Sequence, residues 1–394
     1  MHDVGSSSLF RILLSTLLIA FALGCGDSST ATNDGATDSD GSVSDGEDRG
    51  DGKADNGDGS TPPGDGSTNS PYTEVTGPLT WESEADFSTP VQGVVCKRVT
   101  YLSEGLTIEG TACRPAAAGK YPILMVNHGL NAYGQSYVAN YASKGYAAFE
   151  SAYRGEGMSD GEIEFCKGEI YDVRRMLQIA KTLDYVDTTR VGMIGFSHGG
   201  CVSMRVLLAE ETLHPGSILA VSNVFGPADM ADVHRLWANE LNDITLFFLH
   251  PRLTQGIQDL EEQCGGKPDQ VPAAYAERSP VTYAEEFKKF NTSIFIGHGV
   301  PDHIVPVSSN CRLASDIGGF DAWHFGFGDV ITASAPVNCG FPGLAWKGGA
   351  APTSTFPAKR TIMIFDYADH DTGTLQGPLM LARANAHIDD KLSP

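Results

Sequence analysis

Residues 190–208 read RVGMIGFSHGGCVSMRVLL, and this stretch decides the fold because a tight turn in it joins a strand pattern to a helix pattern. The apolar run RVGMIGF is typical of a buried strand, and CVSMRVLLAEE has helical spacing. Residues 195–199, GFSHG, have the G-x-S-x-G form of a nucleophile elbow. Glycine is abundant in the chain, so this pattern arises readily by chance. Its strand and helix neighbours make Ser197 a candidate nucleophile.

The same alternation continues on both sides of the turn. The runs YPILMVN, YAAFESA, SILAVSNVF, TSIFIGHG and RTIMIFDYA predict buried strands, and helical patterns such as EIYDVRRMLQIAKTL lie between them. This order predicts an α/β fold with a mostly parallel central sheet and helices on both faces. Two longer stretches, 227–290 and 318–359, interrupt the alternation, and we expect lid-like insertions there. The apolar segment LWANELNDITLFFLHP in the first fits either a lid helix or buried packing.

A serine is a poor nucleophile at neutral pH, so Ser197 needs a base, and the base needs a carboxylate that orients it. In strand–turn–helix hydrolases the acid precedes the histidine, and each follows a later strand. Asp302 comes just after the strand IFIGHG, and His370 comes just after the strand TIMIFDYA. The sequence therefore predicts a Ser197–His370–Asp302 triad.

Other residues compete for both supporting roles. Asp366 and Asp369 are alternative acids, and His303, His324 and His387 are alternative bases. Asp366 falls inside the predicted strand and Asp369 adjoins the candidate base along the chain. None of the three alternative histidines directly follows a core strand, so the pattern favours the triad named above.

Backbone N–H groups are expected to form the oxyanion hole, because they stabilise charge that appears only in the transition state. One donor should be His198, the residue after the candidate nucleophile. The other should come from the loop after the strand that ends VNHGL, which gives Gly129 or Leu130. His128 either holds that loop or lines the pocket.

The amino-terminal residues predict export. Residues 1–24 resemble a signal peptide, with Arg11 ahead of the apolar run ILLSTLLIAFALG. The ending ALGC resembles a bacterial lipoprotein signal that would make Cys25 the lipidated first residue, although Ala22 stands where leucine is usual. An ordinary signal peptide cut near Gly24 is the alternative. We expect a lipid-anchored protein of the bacterial cell envelope, in the periplasm or at the cell surface.

Residues 25–75 predict a lipidated, disordered, acidic tether, because their Asp, Gly and Ser repeats offer almost nothing to bury. The repeats do not match a calcium-binding loop. The catalytic domain is expected over 76–394. The net charge of −22 argues against nucleic acid as a partner. No zinc-ligand or dinucleotide-binding spacing is present, so we expect neither a metal nor a cofactor.

Export permits disulfides, and one pairing follows from the sequence. The segment VVCKRVTYLSEGLTIEGTACRP predicts a hairpin with its turn at Glu104–Gly105, a register in which Cys96 faces Cys113. Cys201 is expected to be a buried core thiol. The sequence leaves open the pairing of the cysteines outside the hairpin, at positions 166, 201, 264, 311 and 339.

These motifs resemble the α/β-hydrolase superfamily, and within it the prolyl oligopeptidase catalytic domain and the dienelactone hydrolases. The resemblance rests on PILMVNHG, AYRGEGMSDGEIEFCKGEIYDV, VGMIGFSHGG, YAERSPVTYAEEF, IFIGHGVPDHIVPV and the late DH. It implies an α/β-hydrolase fold and a cofactor-free Ser197–Asp302–His370 hydrolase. Dienelactone hydrolases use a cysteine at the position of Ser197. The serine of this chain therefore agrees better with the peptidases and esterases of the superfamily.

The resemblance also implies a difference in how the site is covered. Oligopeptidases of this family carry a β-propeller, and the residues ahead of the core are too few for one, so the insertions are expected to shape the pocket. The expected activity is cleavage of a carboxylic ester or a peptide or amide bond, on a small ester or peptide substrate. The alternative is a surface-anchored binding protein on a hydrolase scaffold that has lost its activity.

Overall fold

The computed structural model describes residues 72–134 and 137–393, which belong to one compact unit spanning Ser70–Pro394. The predicted signal peptide, Cys25 and the acidic tether up to residue 71 lie outside the described residues. The strands are β1 (Ser83–Asp86), β2 (Val94–Ser103), β3 (Leu106–Pro115), β4 (Tyr121–Asn127), β5 (Ala147–Ser151), β6 (Val186–Phe196), β7 (Ala220–Val224), β8 (Ser293–Gly299), β9 (Phe320–Phe325), β10 (Ile331–Thr332), β11 (Ala345–Trp346) and β12 (Arg360–Phe365).

The α-helices accompany these strands in the order that the sequence predicts. They are α1 (Tyr137–Ser143), α2 (Glu169–Ala180), α3 (His198–Leu213), α4 (Met230–Glu240), α5 (His250–Cys264), α6 (Pro272–Arg278), α7 (Ala284–Lys289), α8 (Val307–Ile317) and α9 (Gly377–Leu392). Short 3₁₀ turns occupy Ile244–Leu246 and Pro280–Tyr283. Within the described ranges, no helix is both long and apolar enough to cross a membrane.

One twisted sheet organises the fold. Its strand order is β1-β2-β3-β5-β4-β6-β7-β8-β12-β9-β10, and β11 pairs with β9. From β5 to β9 in this order each strand is parallel to the next, whereas β1, β2 and β3 form an antiparallel extension at one side and β10 pairs antiparallel with β9 at the other. Strands β4, β7, β8 and β12 and residues 191–195 of β6 are almost wholly buried, as apolar runs covered on both faces should be. The carboxyl ends of β6, β8 and β12 therefore lie along one edge.

The hairpin of β2 and β3 has the predicted register. Its turn residues Glu104 and Gly105 have φ values of 50° and 85°, which suits a two-residue turn. Cys96 lies directly opposite Cys113, and the two form a disulfide.

Two further disulfides tie distant parts of the fold together. Cys311 on α8 is joined to Cys339, and Cys166 is joined to Cys201 on α3. The expectation that Cys201 is a free core thiol is therefore wrong, although its side chain is fully buried as predicted. The loop before α2 brings Cys166 to the helix across 35 residues of chain, a contact that spacing could not reveal.

The two predicted insertions differ in structure. Residues 227–290 form a helical layer, from α4 to α7, in which Trp237 and Leu253 are buried, so part of this insertion is packed core. Residues 318–359 are not wholly a lid. Strand β9 within them pairs in parallel with β12 and extends the central sheet, and only the segments after Phe325 lie beyond that strand.

Candidate active site

The turn between β6 and α3 is tight and strained. Ser197 has φ 51° and ψ −125°, a left-handed conformation that non-glycine residues adopt at a cost. A Cβ on Gly195 would lie 2.1 Å from the carbonyl oxygen of Gly199, and a Cβ on Gly199 would lie 2.1 Å from that of Asn127. Both flanking positions therefore require glycine, which gives the G-x-S-x-G spacing a steric reason.

The structure brings the three predicted triad residues together. The Oγ of Ser197 lies 2.7 Å from Nε2 of His370, and Nδ1 of His370 lies 2.8 Å from Oδ2 of Asp302. Each residue follows a parallel strand at the same edge of the sheet, which is why residues separated by 173 and 68 positions meet. The arrangement lets His370 accept the serine proton at Nε2 while Nδ1–H donates to the carboxylate.

Asp302 is held as a carboxylate. Its Oδ1 accepts hydrogen bonds from the backbone N–H groups of Ile304 and Val305, each at 2.8 Å. Its Oδ2 faces His370 and also Nε2 of His298, at 3.1 Å. Burial alone would raise the pKa of Asp302, but His370 and His298 outweigh it and hold that pKa well below its usual range.

Two of the expected oxyanion-hole residues, Gly129 and His198, lie beside Ser197. A Cβ on Gly129 would lie only 3.3 Å from Cβ of Ser197, so the backbone of this loop directly faces the serine. His198 begins α3, where backbone N–H groups have no acceptor within the helix. Leu130 is partly buried against the core. The backbone of this loop and the start of α3 therefore flank Ser197 from two sides.

His128 contacts the backbone of the loop after β4 that carries Gly129. Its Nδ1 lies 2.8 Å from the carbonyl oxygen of Gly129 and its Nε2 lies 3.0 Å from that of Ser151. Its ring also stacks on Tyr153, with centroids 4.2 Å apart. Burial lowers the pKa of His128 to about 4, so the ring is neutral at physiological pH and its single N–H donates to one of these two carbonyl oxygens. These contacts give His128 a structural place behind the loop.

The Cys166–Cys201 disulfide lies directly behind the elbow. The Sγ of Cys166 is 3.8 Å from the carbonyl oxygen of His198, and the backbone N–H of Cys201 donates to the carbonyl oxygen of Ser197 at 3.4 Å. Phe165 and Cys166 have φ values of 53° and 67°, so the loop reaches the helix through two consecutive left-handed residues. Sequence reasoning missed this contact.

The alternative acids and bases have other partners. Nε2 of His324 lies 2.7 Å from Oδ1 of Asp366, so one alternative base is paired with one alternative acid. Asp369 accepts a hydrogen bond from the backbone N–H of His370. His303 lies 3.1 Å from a carboxylate oxygen of Glu240 on α4. His387 is buried between two serine hydroxyls at 2.9 Å.

Aromatic side chains flank the serine and the histidine. The ring of Phe225, which follows β7, lies 4.6 Å from the ring of His370, and Phe196 stacks with Tyr137 at 5.7 Å. Sequence reasoning did not single out Phe225, because nothing in its local pattern indicates this neighbour. The site therefore has an apolar wall beside its base.

Within residues 72–134 and 137–393, no group of three or more His, Cys, Asp or Glu side chains could hold a metal ion. Ser197, His370 and Asp302 are instead joined to one another by hydrogen bonds. What this arrangement can do chemically is transfer an acyl group to the serine hydroxyl.

This chain is similar to a protein family and to several curated proteins. The family described as X-Pro dipeptidyl-peptidase (S15 family) matches residues 104–242. The uncharacterized peptidase YtmA of Bacillus subtilis (strain 168) is 26% identical over 231 residues, which cover 58% of this chain and 81% of YtmA. A Synechocystis protein provisionally named a carboxymethylenebutenolidase is 30% identical over 123 residues, covering 26% of this chain and 50% of that protein.

Solved structures share the fold. The acylaminoacyl peptidase of Pyrococcus horikoshii superposes with a TM-score of 0.53 at 16% identity, over 77% of this chain and 42% of the peptidase. This chain thus spans less than half the length of that enzyme. The family match includes Gly129 and Ser197 but ends before Asp302 and His370.

Proposed function

Because this chain has the fold of the α/β-hydrolase superfamily and is a serine hydrolase, we propose that it cleaves a carboxylic ester or a peptide or amide bond through Ser197, His370 and Asp302. The single observation that carries the proposal is the continuous hydrogen-bonded row from the serine hydroxyl through the imidazole to the buried carboxylate. A binding protein on an inactive scaffold would not require these hydrogen bonds between the serine, the histidine and the carboxylate.

In the first half-reaction, Oγ of Ser197 attacks the substrate carbonyl carbon as its proton passes to Nε2 of His370. The C–O or C–N bond to the leaving group then breaks, and His370 returns that proton to the departing oxygen or nitrogen. The acyl group remains on Oγ. In the second half-reaction a water attacks the acyl carbon, His370 again carries the proton, and the carboxylic acid leaves.

The surrounding groups lower the barrier in two ways. Asp302 stays ionised and stabilises the imidazolium that forms on His370. The N–H of His198, with that of Gly129 or Leu130, donates to the oxyanion of the tetrahedral intermediate. Removing one such donor costs about 10²–10³-fold in kcat in a known serine protease.

Ester and peptide cleavage use the same triad, so the substrate class must be argued from other observations. The likeness to an S15 family and to named peptidases favours peptide or amide substrates. The apolar wall of Phe225 beside His370 favours a substrate with an apolar group next to the scissile bond. We retain both substrate classes and let a direct comparison decide.

The test uses the purified full chain, its Ser197→Ala variant and a Ser308→Ala control from α8. Each is assayed on p-nitrophenyl esters of graded acyl length and on proline-containing peptide p-nitroanilides. Hydrolysis should occur on at least one series, survive in Ser308→Ala, and fall in Ser197→Ala by about 10⁴-fold or more. Equal activity of the Ser197→Ala and parent proteins would contradict the proposal. The preferred series then separates esterase from peptidase.

We also propose that the enzyme is exported and held to a membrane of the cell envelope by lipid on Cys25. The lipoprotein-like signal supports this, and three disulfides are consistent with an oxidising compartment. In a bacterial host, the full chain should sediment with membranes, and Cys25→Ser should move it to the soluble fraction. Membrane association that is unchanged in Cys25→Ser would overturn the anchor.

A further inference from the structure

A second histidine contacts the candidate catalytic acid. His298 lies near the end of β8, is fully buried, and places Nε2 3.1 Å from Oδ2 of Asp302. The same carboxylate oxygen receives Nδ1–H of His370 at 2.8 Å. Asp302 therefore lies between two imidazoles, only one of which reaches Ser197.

The amide of Asn310 on α8 fixes the tautomer of this second histidine. The amide nitrogen Nδ2 lies 2.8 Å from the carbonyl oxygen of Gly226, which can only accept, so this atom is the donor end of the amide. The same nitrogen lies 2.7 Å from Nδ1 of His298. Nδ1 must therefore accept a hydrogen bond, and the ring proton is on Nε2.

A proton on Nε2 matches what that atom faces. Besides Asp302 at 3.1 Å, it lies 3.0 Å from the carbonyl oxygen of Val305, and both partners only accept. His298 is thus a neutral donor with all its polar atoms satisfied. Because it links Oδ2 of Asp302 to the backbone of the same loop, it restricts how the carboxylate can rotate.

The network continues to the other side of the triad. Gly226 donates its N–H to Oδ1 of Asn223 on β7, at 2.8 Å, and Asn223 is also fully buried. Phe225, the residue before Gly226, packs its ring against His370. Asn310 therefore fixes both the histidine that holds the acid and the segment that flanks the base.

We propose that His298 is a positioning residue for the reaction, and that Asn310 holds it as the Nε2–H tautomer so that it orients Asp302 toward His370. His298 does not touch the substrate. Its effect passes through the angle and ionisation of the Asp302 carboxylate. This inference rests on the proposed function, because positioning matters only if Asp302 supports a catalytic His370.

Substitution of His298 by Leu removes the donor, and substitution by Gln keeps an N–H donor near the position of Nε2. We expect His298→Leu to lower kcat about 100-fold with KM nearly unchanged, the effect of a small misplacement of catalytic groups. His298→Gln should recover most of that loss, remaining within about tenfold of the parent. The assay uses the full chain and the better of the two substrate series.

His387 provides a matched control. It is also a fully buried histidine with both ring nitrogens hydrogen-bonded, to Ser222 and Ser293, and it does not contact the triad. His387→Leu should lose stability to a similar extent and keep kcat. If His298→Leu keeps the parent kcat, or if His387→Leu loses kcat equally, the positioning role is overturned.

A measurement on the parent protein covers the case in which His298→Leu does not fold. With ¹⁵N-labelled histidine, NMR at pH 7 should show His298 as the Nε2–H tautomer, its signal identified by its loss in His298→Gln. An Nδ1–H tautomer or an imidazolium would overturn the proposal. Fluorophosphonate labelling of Ser197 is measured on the same sample, so failure of the proposed function is distinguished from failure of the tautomer.

Discussion

The indole Nε1–H of Trp237 donates a hydrogen bond to the carbonyl oxygen of Ile304, at 2.8 Å. Trp237 belongs to α4 of the 227–290 insertion, and the backbone N–H of Ile304 in turn donates to Asp302. His303, the residue before Ile304, contacts the carboxylate of Glu240, which also belongs to α4. The helical insertion therefore holds the loop that carries the candidate catalytic acid.

Trp237→Phe should lower both kcat and the free energy of unfolding. The variant keeps an aromatic ring against Gly256 but leaves the Ile304 carbonyl without its donor. A lost neutral hydrogen bond costs about 1 kcal/mol of unfolding free energy, and a looser acid loop should lower kcat several-fold. Urea unfolding and steady-state kinetics measure the two effects. Trp81→Phe, made far from the acid loop, should leave kcat unchanged, and equal kinetics for both variants would contradict the coupling.

The disulfides should separate stability from activity. Replacing Cys166 and Cys201 by Ala removes a disulfide behind the elbow that joins residues 35 positions apart. Replacing Cys96 and Cys113 by Ala removes a disulfide in the hairpin that joins residues 17 positions apart. Chain-entropy estimates give about 4 and about 3 kcal/mol of lost stability, so the two double variants should be comparably destabilised. Only the first should also lose kcat, because Sγ of Cys166 contacts the carbonyl oxygen of His198 and Cys201 lies one helical turn after Ser197. A kcat loss in both or in neither would contradict this role.

Glu150 on β5 should make stability depend on pH. It is buried, one of its carboxyl oxygens has no hydrogen-bond partner in the described part of the chain, and burial raises its pKa from 4.5 to about 8. Between these values the folded state binds more protons than the unfolded state, so Glu150 lowers stability as the pH rises from 4.5 to 8. Glu150→Gln removes this dependence.

The difference in unfolding free energy between Glu150→Gln and the parent should therefore grow in favour of the variant, by up to about 1.4 kcal/mol per pH unit. Urea unfolding at three pH values across that window measures it. Glu285→Gln, at an exposed position on α7, is the control and should show a constant difference. Parallel curves for Glu150→Gln and the parent would show that the carboxyl group is ionised in the fold.

Sequence reasoning predicted the features that depend on strand ends. The elbow at Ser197 could be found because strand, turn and helix are contiguous, and Asp302 and His370 because each follows an apolar run. Their meeting at one edge of the sheet is a consequence of parallel strands, so pattern and order were enough to predict it. The family likeness and the shared fold agree with the predicted class of serine hydrolase.

What sequence reasoning missed depends on loops and on side-chain networks. Strand β9 was assigned to an insertion because glycine-rich and aromatic segments surround it and no crossover helix follows. The link between Cys166 and Cys201 depends on two left-handed residues that no local pattern predicts. The pattern gives no indication of a role for His298, because its contacts with Asp302 and Asn310 exist only after β8 and α8 are placed together.

Ser197 is expected to be the activated serine, and covalent labelling tests this most directly. The full-length protein is treated with a fluorophosphonate, and the adduct is located by intact mass and peptide mapping. A single adduct on Ser197 is predicted, absent in Ser197→Ala and formed far more slowly in His370→Ala, whose serine has lost its base. No adduct on the parent protein, or an adduct on another residue that survives in Ser197→Ala, would contradict the assignment of Ser197 as the nucleophile.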